Sequence, residues 1–206
     1  MKFFDFEEKM NNQPVFTTKE VKTIFYDQKN IIIQLSFWCK KGYIKKIERG
    51  LYILTNKERE IDLMTIACKI YSPSYLSLEF ALNYYGIIPD IPGTYTSVTS
   101  RKTKKFRNNF GNYSYQKVKK EFFIGYKALE INNISFNFAT PEKALLDYLY
   151  LNKNRFLPRE DFWRELRIDE DFKFDTKMLD DYMKLLKNKK TETLLSSLLT
   201  YQKNAR

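Results

Sequence analysis

The chain has 206 residues, 43% of them hydrophobic and 30% charged, which is enough apolar sequence for one large domain or two small ones. It contains no histidine and only two cysteines, Cys39 and Cys68. This excludes Ser-His-Asp and Cys-His catalytic centres, histidine-ligated zinc and a disulfide framework. The formal net charge is +11, and residues 1–130 hold 22 basic and 13 acidic side chains. This excess predicts a polyanionic partner for the first two-thirds of the chain, although a basic surface without a partner is the alternative.

The beginning of the chain argues against a targeting segment. Asp5, Glu7 and Glu8 lie where a signal peptide would carry positive charge and then an apolar run. The longest strongly apolar stretch, Ile31 to Cys39, is far shorter than the roughly 20 residues that cross a membrane. We therefore expect a cytoplasmic protein without a membrane partner, whose two cysteines pack as small apolar residues in a reducing compartment.

Three short helices are predicted within the first 41 residues. The first covers residues 7–13 and ends at Pro14. The second follows the capping sequence Thr17-Thr18-Lys19-Glu20 and runs to about residue 26. The third covers residues 30–41 and ends before Gly42, with one apolar face made by Ile31, Leu35 and Trp38.

A basic β-hairpin follows these helices. Two strand-like runs, residues 43–47 and 51–54, flank Glu48-Arg49-Gly50. The order helix, turn, helix, hairpin is typical of a winged helix-turn-helix, so residues 1–56 are predicted to be a DNA-binding domain. The predicted DNA contacts are Thr17, Thr18, Lys19, Lys29, Asn30, Gln34, Phe37, Lys41, Lys45, Lys46 and Arg49.

These contacts are expected to have different roles. The start of the second helix offers backbone N–H groups to a phosphate, and the hairpin cations lie along the DNA backbone. Asn30 and Gln34 are suited to an adenine edge, and Lys29 and Lys41 to phosphates.

Two observations leave other interpretations open. Asn30 is also a suitable helix cap. Ile32 and Ile33 cannot both be buried together with Ile31, and winged helices also serve as protein-interaction modules.

The predicted fold class of the chain is α+β, with residues 57–206 forming a second, mixed α/β domain that has an antiparallel-rich sheet and a helical C-terminal part. A charged link runs into an amphipathic helix that ends at Ser72-Pro73-Ser74, and a second helix covers residues 75–85. Strands follow at 95–99, at 105–109 and 113–118 around Gly111-Asn112, and at 122–130 and 134–138 around Asn132-Asn133. Thr140-Pro141-Glu142 begins a helix to about residue 151, and helices are predicted at 159–167, 176–187 and 192–202.

The densest basic run of the chain falls between two predicted strands. It suits nucleic-acid phosphates or an acidic protein surface, and the alternative is a solvated sheet edge that lysines protect from pairing. Its charged residues are Arg101, Lys102, Lys104, Lys105 and Arg107.

We predict no enzymatic centre, no metal and no cofactor. The acids between residues 61 and 130 lack the spacing of a metal-dependent nuclease, and the six glycines form no phosphate-binding loop. Glu142, Lys143 and Asp147 are interpreted as charges that suit the start of their helix. The tyrosines around residues 84–115 are expected to pack the core rather than to stack on bases.

Four motifs together resemble the AbiEi family of antitoxins from type IV toxin–antitoxin systems. They are Gly42-Tyr43-Ile44 through Leu51-Tyr52, Ala81-Leu82-Asn83-Tyr84-Tyr85-Gly86, the stretch from Thr96 to Phe106, and Ala139-Thr140-Pro141-Glu142-Lys143-Ala144-Leu145-Leu146-Asp147. The resemblance implies an N-terminal winged helix that binds inverted repeats in double-stranded DNA upstream of its own operon and represses it. It also implies a C-terminal domain that counteracts a nucleotidyltransferase-like toxin in abortive infection, a form of phage defence, and it supplies no catalytic residues.

Two other functions stay open. One is a plain transcriptional regulator whose C-terminal domain senses a ligand or oligomerises. The other is a nucleic-acid enzyme, which the missing histidine and carboxylate cluster disfavour.

Overall fold

The computed structural model describes residues 1–131 and 134–205 and shows a mixed α+β protein. Its N-terminal part contains, in chain order, α1 (Phe3–Met10), β1 (Val15–Thr17), α2 (Thr18–Ile24), α3 (Ile31–Lys40), β2 (Ile44–Glu48) and β3 (Leu51–Leu54). The three strands form an antiparallel sheet in the order β1-β3-β2. The predicted second helix, third helix and hairpin are therefore confirmed as elements.

The ends of α2 and α3 follow the predicted chemistry. Thr17 caps α2, because its hydroxyl accepts the N–H of Glu20 while the Glu20 carboxylate accepts the N–H of Thr17. Gly42 follows α3 with a φ of +76°, a left-handed conformation that glycine adopts without a steric cost. Two features differ from the prediction. The first helix lies four residues earlier, at Phe3–Met10, and the sequence did not predict the three-residue strand β1.

An aromatic cluster fills the N-terminal core. The ring centroid of Phe6 lies 4.7 Å from that of Trp38, 5.2 Å from that of Phe25 and 5.4 Å from that of Phe16. All four side chains are at most 4% exposed. This packing explains the position of α1, because Phe6 must sit in the middle of that helix to contact the other three rings.

The three-stranded sheet is apolar on both faces. Phe16 and Leu54 pack into the N-terminal core, whereas Val15, Leu51 and Ile53 pack into the larger core of the following residues. Because side chains alternate along a strand, one short sheet can serve two cores.

The remainder of the chain forms a second sheet with helices on its faces. After a 3₁₀ turn at Thr55–Glu60 come α4 (Leu63–Ile70), β4 (Ser74–Leu76), α5 (Leu78–Tyr84), β5 (Tyr95–Thr99), β6 (Lys104–Asn108), β7 (Gly111–Lys117), β8 (Tyr126–Ile131) and β9 (Ile134–Ala139). Four helices complete the chain: α6 (Pro141–Asn152), α7 (Glu160–Glu165), α8 (Thr176–Leu186) and α9 (Lys189–Asn204). The six strands are ordered β6-β7-β5-β4-β9-β8, with β5 parallel to β7, β4 parallel to β9 and the other pairs antiparallel.

Three sequence predictions in this part need correction. The segment predicted as a helix at 75–85 begins as strand β4, which contains Tyr75 and pairs with β5 on one side and β9 on the other. The helix α5 starts only at Leu78. The strand predicted from residue 122 starts at Tyr126, since Phe122 is buried in a 3₁₀ turn and Gly125 follows at a φ of +74°. The turn predicted at residues 111–112 lies at residues 109–110, because β6 ends at Asn108 and Gly111 already belongs to β7. The predicted turn at residues 132–133 lies outside the described residues.

The helical predictions for the last third are confirmed with shifted ends. The Thr140 side chain accepts the N–H of Lys143 and Pro141 occupies the first turn of α6, as the sequence indicated. In the described part of the chain, no helix combines the length and the apolar character needed to cross a membrane.

The carboxylate of Glu20 is one of the groups that join the two parts at the surface. Glu20, which caps α2, also accepts a hydrogen bond from Lys69 of α4 over 2.7 Å. Burial raises the pKa of this carboxyl, but the bonds from Lys69 and Thr17 outweigh it, so its pKa lies below the usual value.

Replacing the buried indole of α3 tests the N-terminal core. Trp38→Ala should lower the free energy of unfolding by about 3–5 kcal/mol, because it opens a cavity inside the aromatic cluster. The adjacent Phe37 is 54% exposed, so Phe37→Ala is the matched control and should change stability by less than about 0.5 kcal/mol. Urea unfolding followed by circular dichroism measures both, and equal losses would contradict the assigned burial of this helix.

Candidate nucleic-acid interface

Two predicted base contacts, Asn30 and Gln34, and two predicted phosphate contacts, Lys29 and Lys41, lie on α3 or at its ends. Lys29, Asn30 and Lys41 are exposed, and Gln34 is half-buried between them. Asn30 occupies the cap position of α3, yet its side chain makes no capping bond, so its amide is free. The Oε1 of Gln34 is buried and has no hydrogen-bond partner in the described part of the chain.

Apolar side chains share this surface. Of the three consecutive isoleucines only Ile31 is buried, while Ile32 is 40% exposed and Ile33 is 69% exposed. The Phe37 ring is also exposed and lies 5.6 Å from the Lys41 ammonium, measured to the ring centroid. The open question about the isoleucines is thus answered: two of the three face solvent.

The start of α2 is occupied by its own capping bonds. The Thr17 hydroxyl donates to Glu20 over 2.8 Å, and the Thr18 hydroxyl donates to the carbonyl of Gly50 over 3.3 Å. Lys19, one residue further, is exposed. Of the three predicted contacts here, only Lys19 has a side chain that is free to reach a phosphate, while Thr17 and Thr18 hold the helix against the hairpin.

The hairpin presents its cations to solvent. Lys45, Lys46 and Arg49 are all exposed, but Lys45 forms an ion pair with Glu58. Across the described residues, neither Lys46 nor Arg49 has an acidic partner within 4.0 Å. These two are therefore the hairpin cations that can meet a polyanion without first breaking a bond.

The basic run of residues 101–107 is not a simple loop between strands. Its second half is β6, the edge strand of the six-stranded sheet. The Arg101 guanidinium lies 4.4 Å from the centroid of the Tyr71 ring, and the Lys104 ammonium lies 4.5 Å from that of Phe106. In register with β7, Lys105 pairs with Ser114 and Arg107 with Asn112, so these two cations emerge on the other face. Lys102 is exposed in the loop before the strand.

A buried ionic network lies at the start of α6, where the sequence suggested only a favourable helix end. Lys143 and Asp147 are 0% exposed and form an ion pair. Lys143 also donates to the Tyr75 hydroxyl over 2.7 Å, while Tyr75 and Ser77 donate to Asp147 over 2.9 and 2.8 Å. Glu142 does lie in the first turn of α6, as predicted, but the prediction did not include the burial of the helix from Glu142 to Leu149.

Burial governs the protonation of this network. It lowers the pKa of Lys143 and raises that of Asp147, and the attraction between the two opposes both shifts. Every member is closed off from solvent, so the network anchors α6 to β4 and offers no surface to a substrate. The spacing of Lys143 and Asp147, four residues apart on an otherwise apolar helix, is the sequence signal that could have revealed it.

Comparison with known proteins adds no family. No family model matches the chain, and no curated protein matches it significantly. Within residues 1–131 and 134–205, no group of three or more Cys, Asp or Glu side chains is arranged to hold a metal ion.

Removing the carboxylate of the buried network tests its structural role. Asp147→Ala should cost about 3–5 kcal/mol in unfolding free energy, because it leaves the Lys143 ammonium buried without a counter-charge. The double variant Lys143→Met with Asp147→Leu should recover much of this loss, since it leaves no unpaired charge.

An exposed pair of similar spacing provides the control. Lys184 and Asp181 form an ion pair on α8 with both side chains more than half exposed. Asp181→Ala should leave the melting temperature unchanged within error. A loss at Asp181 as large as the loss at Asp147 would show that burial is not what gives the network its importance.

Proposed function

We propose that residues 1–56 form a winged helix-turn-helix that binds double-stranded DNA upstream of the protein's own gene and represses it. One observation carries the proposal: one small unit presents the amides of Asn30 and Gln34 on a helix and, on the hairpin, the cations Lys46 and Arg49, which have no acidic partner within the described residues. The sheet order β1-β3-β2, with α2 and α3 preceding the hairpin, supports the same assignment.

The surface suggests a division of labour among these side chains. Asn30 and Gln34 would read base edges, since an amide can both donate and accept toward adenine. Lys46 and Arg49 would contact phosphates, which fix position but carry no sequence information. The exposed rings and methyl groups of Phe37 and Ile33 would contact thymine methyl groups, which favours an A·T-rich site.

For residues 57–206 we propose an antitoxin role that opposes a nucleotidyltransferase-like toxin. The support is the resemblance stated above together with a dense cationic edge. Lys102, Lys104 and Lys105 are exposed, and no ion pair in the described residues involves them. An edge strand with unpaired cations is also what a protected sheet edge looks like, so the role needs a functional test.

A second candidate function rests on the apolar side of α3. Ile33 and Phe37, at 69% and 54% exposure, also suit a protein partner, and a winged helix that binds protein would present such a surface. DNA binding and protein binding differ in salt dependence, because only contacts to phosphates release condensed counterions.

DNA binding should be specific and salt-dependent. In a gel shift with the promoter of the gene, Lys46→Ala with Arg49→Ala should weaken binding to specific and scrambled DNA alike, and should reduce the log–log salt slope by about one per residue. Asn30→Ala with Gln34→Ala should instead reduce the preference for the promoter, by roughly 1–3 kcal/mol per lost amide contact.

A charge-matched control separates the effect of the hairpin cations on DNA binding from the effect of the protein's net charge. Lys173→Ala with Lys177→Ala removes two exposed lysines near the start of α8 and should leave affinity and salt slope unchanged. Equal binding of promoter and scrambled DNA by the parent protein at physiological salt would exclude the proposed repressor.

The antitoxin role should depend on the cationic edge. Reversing Lys102, Lys104 and Lys105 to Glu should abolish growth rescue when the toxin is co-expressed, while circular dichroism and the melting temperature stay close to those of the parent. The full chain is required for this test, because Val15, Leu51 and Ile53 belong to the core of the C-terminal part.

The control reverses the same number of charges elsewhere. Lys173, Lys177 and Lys203 are exposed, and their reversal to Glu should preserve rescue. Full rescue by the 102/104/105 variant would show that this edge is only solvated and that the antitoxin surface lies elsewhere.

A further inference from the structure

A cleft of about 650 Å³ opens on the six-stranded sheet beside its β6 edge. Its floor is formed by β5, β7 and β6, including Thr96 and Ser114, which are each 8% exposed. One wall is Glu79 at the start of α5, and the rim is the loop before β5. The volume falls in the range of small-molecule sites, and the floor carries the hydroxyl-bearing residues Thr96 and Ser114 beside apolar groups.

Two unpaired cations line this cleft. Lys105 and Arg107 are exposed, and within the described residues no acidic group lies within ion-pair distance of either. Lys104, on the same strand, does not line the cleft and lies over the Phe106 ring. The strand thus places two of its cations in the cleft, where a phosphate can be bound by both.

The carboxylate of Glu79 is the unusual group of the cleft. Its Oε2 is buried without a hydrogen-bond partner, and no donor in the described part of the chain bonds its other oxygen. A buried carboxylate oxygen without a donor is costly, and a ligand that brings N–H donors to Glu79 would remove that cost.

The backbone before Glu79 is also strained. Leu78, a buried residue, has a φ of +61°, in the left-handed region that non-glycine residues rarely adopt. Such strain is found preferentially where the chain must hold a functional side chain in place. Here it occurs in the turn that joins β4 to Glu79.

We propose that this cleft binds a guanine nucleotide, with Lys105 and Arg107 on its phosphate and the Glu79 carboxylate on its base. The proposal goes beyond DNA binding and antitoxin action, neither of which requires a small-molecule site. It gives the protein a means to respond to a nucleotide or to the end of an RNA strand that carries one.

The choice of guanine follows from the hydrogen bonds that a carboxylate accepts. Guanine presents two neighbouring donors, N1–H and N2–H, which match the two oxygens of a carboxylate such as that of Glu79. The pairing edges of adenine and cytosine each place an acceptor beside the single amino group, and uracil places carbonyl oxygens on both sides of its one donor. Each of those edges would direct a lone pair at the carboxylate.

Calorimetric titration of the full-length protein with GMP, AMP and inorganic phosphate tests the proposal. We expect GMP to bind at least about tenfold more tightly than AMP and phosphate. Glu79→Gln should reduce the ratio of GMP to AMP affinity by about tenfold or more, because an amide suits adenine better than guanine. Lys105→Gln with Arg107→Gln should weaken GMP and AMP by a similar factor and leave their ratio unchanged.

Lys104→Gln is the matched control, since it removes one charge from the same strand outside the cleft and should leave GMP affinity unchanged. The melting temperature of each variant shows whether it is folded. If Glu79→Gln is unstable, the double variant Lys105→Gln with Arg107→Gln tests whether GMP binds in this cleft. No GMP binding by the parent at millimolar concentration, or an unaltered GMP preference in Glu79→Gln, would overturn the proposal.

One further measurement distinguishes a free nucleotide from the end of an RNA strand, and another separates nucleotide binding from DNA binding. A short RNA with a 5′-phosphorylated terminal guanosine that binds more tightly than GMP assigns the cleft to a strand end, and weaker binding assigns it to the free nucleotide. Lys46→Ala with Arg49→Ala should leave GMP binding intact, so the loss of promoter binding and the loss of the nucleotide site can be told apart.

Discussion

The structure depends on one constraint: the apolar side chains of β1 and β3 are buried on both faces of the three-stranded sheet. Phe16 and Leu54 face the aromatic core around Trp38, while Val15 and Ile53 face the core of the second sheet. Burying both faces of a sheet this small requires two layers of partners, so neither part of the protein is complete without the other. The bond between Glu20 and Lys69 reinforces the same junction at the surface.

This arrangement decides which surfaces stay open. With α1, α2 and α3 on one face of the sheet and the second core on the other, the outer side of α3 and the turn of the hairpin have no partner within the described chain. Lys46, on the hairpin, is exposed for that reason, and within the described residues it has no acidic partner within 4.0 Å. The proposed DNA interface is therefore a consequence of how the sheet is shared between two cores.

Charge is used in two opposite ways in the two parts. Lys143 is wholly buried, and its ammonium is satisfied by Asp147 and the Tyr75 hydroxyl, so it stabilises the fold and is closed to ligands. Lys105 and Arg107 line a cleft, and no acidic group of the described residues lies within ion-pair distance of either. The net charge of +11 therefore says less about anion binding than the number of cations that lack an acidic partner within the protein. Only such cations can bind an external anion with little desolvation cost.

The sequence by itself determined the local elements whose signals are short-range. The Thr17 cap, the face of Ile31 and Trp38, and the Thr140-Pro141 helix start are all confirmed, because caps and helix periodicity involve residues within a few positions of each other. The tertiary structure alone decided the rest. Tyr75 became part of a central strand because β5 and β9, distant in sequence, pair on either side of it. Lys143 and Asp147 were buried because α8 and α9 cover α6, and Glu79 came to share a cleft with Arg107 because β7 brings the edge strand beside β5. A sequence pattern records the preference of each residue for burial or exposure. Whether a charged group finds a counter-charge depends on segments that are distant in sequence and meet only when the chain folds.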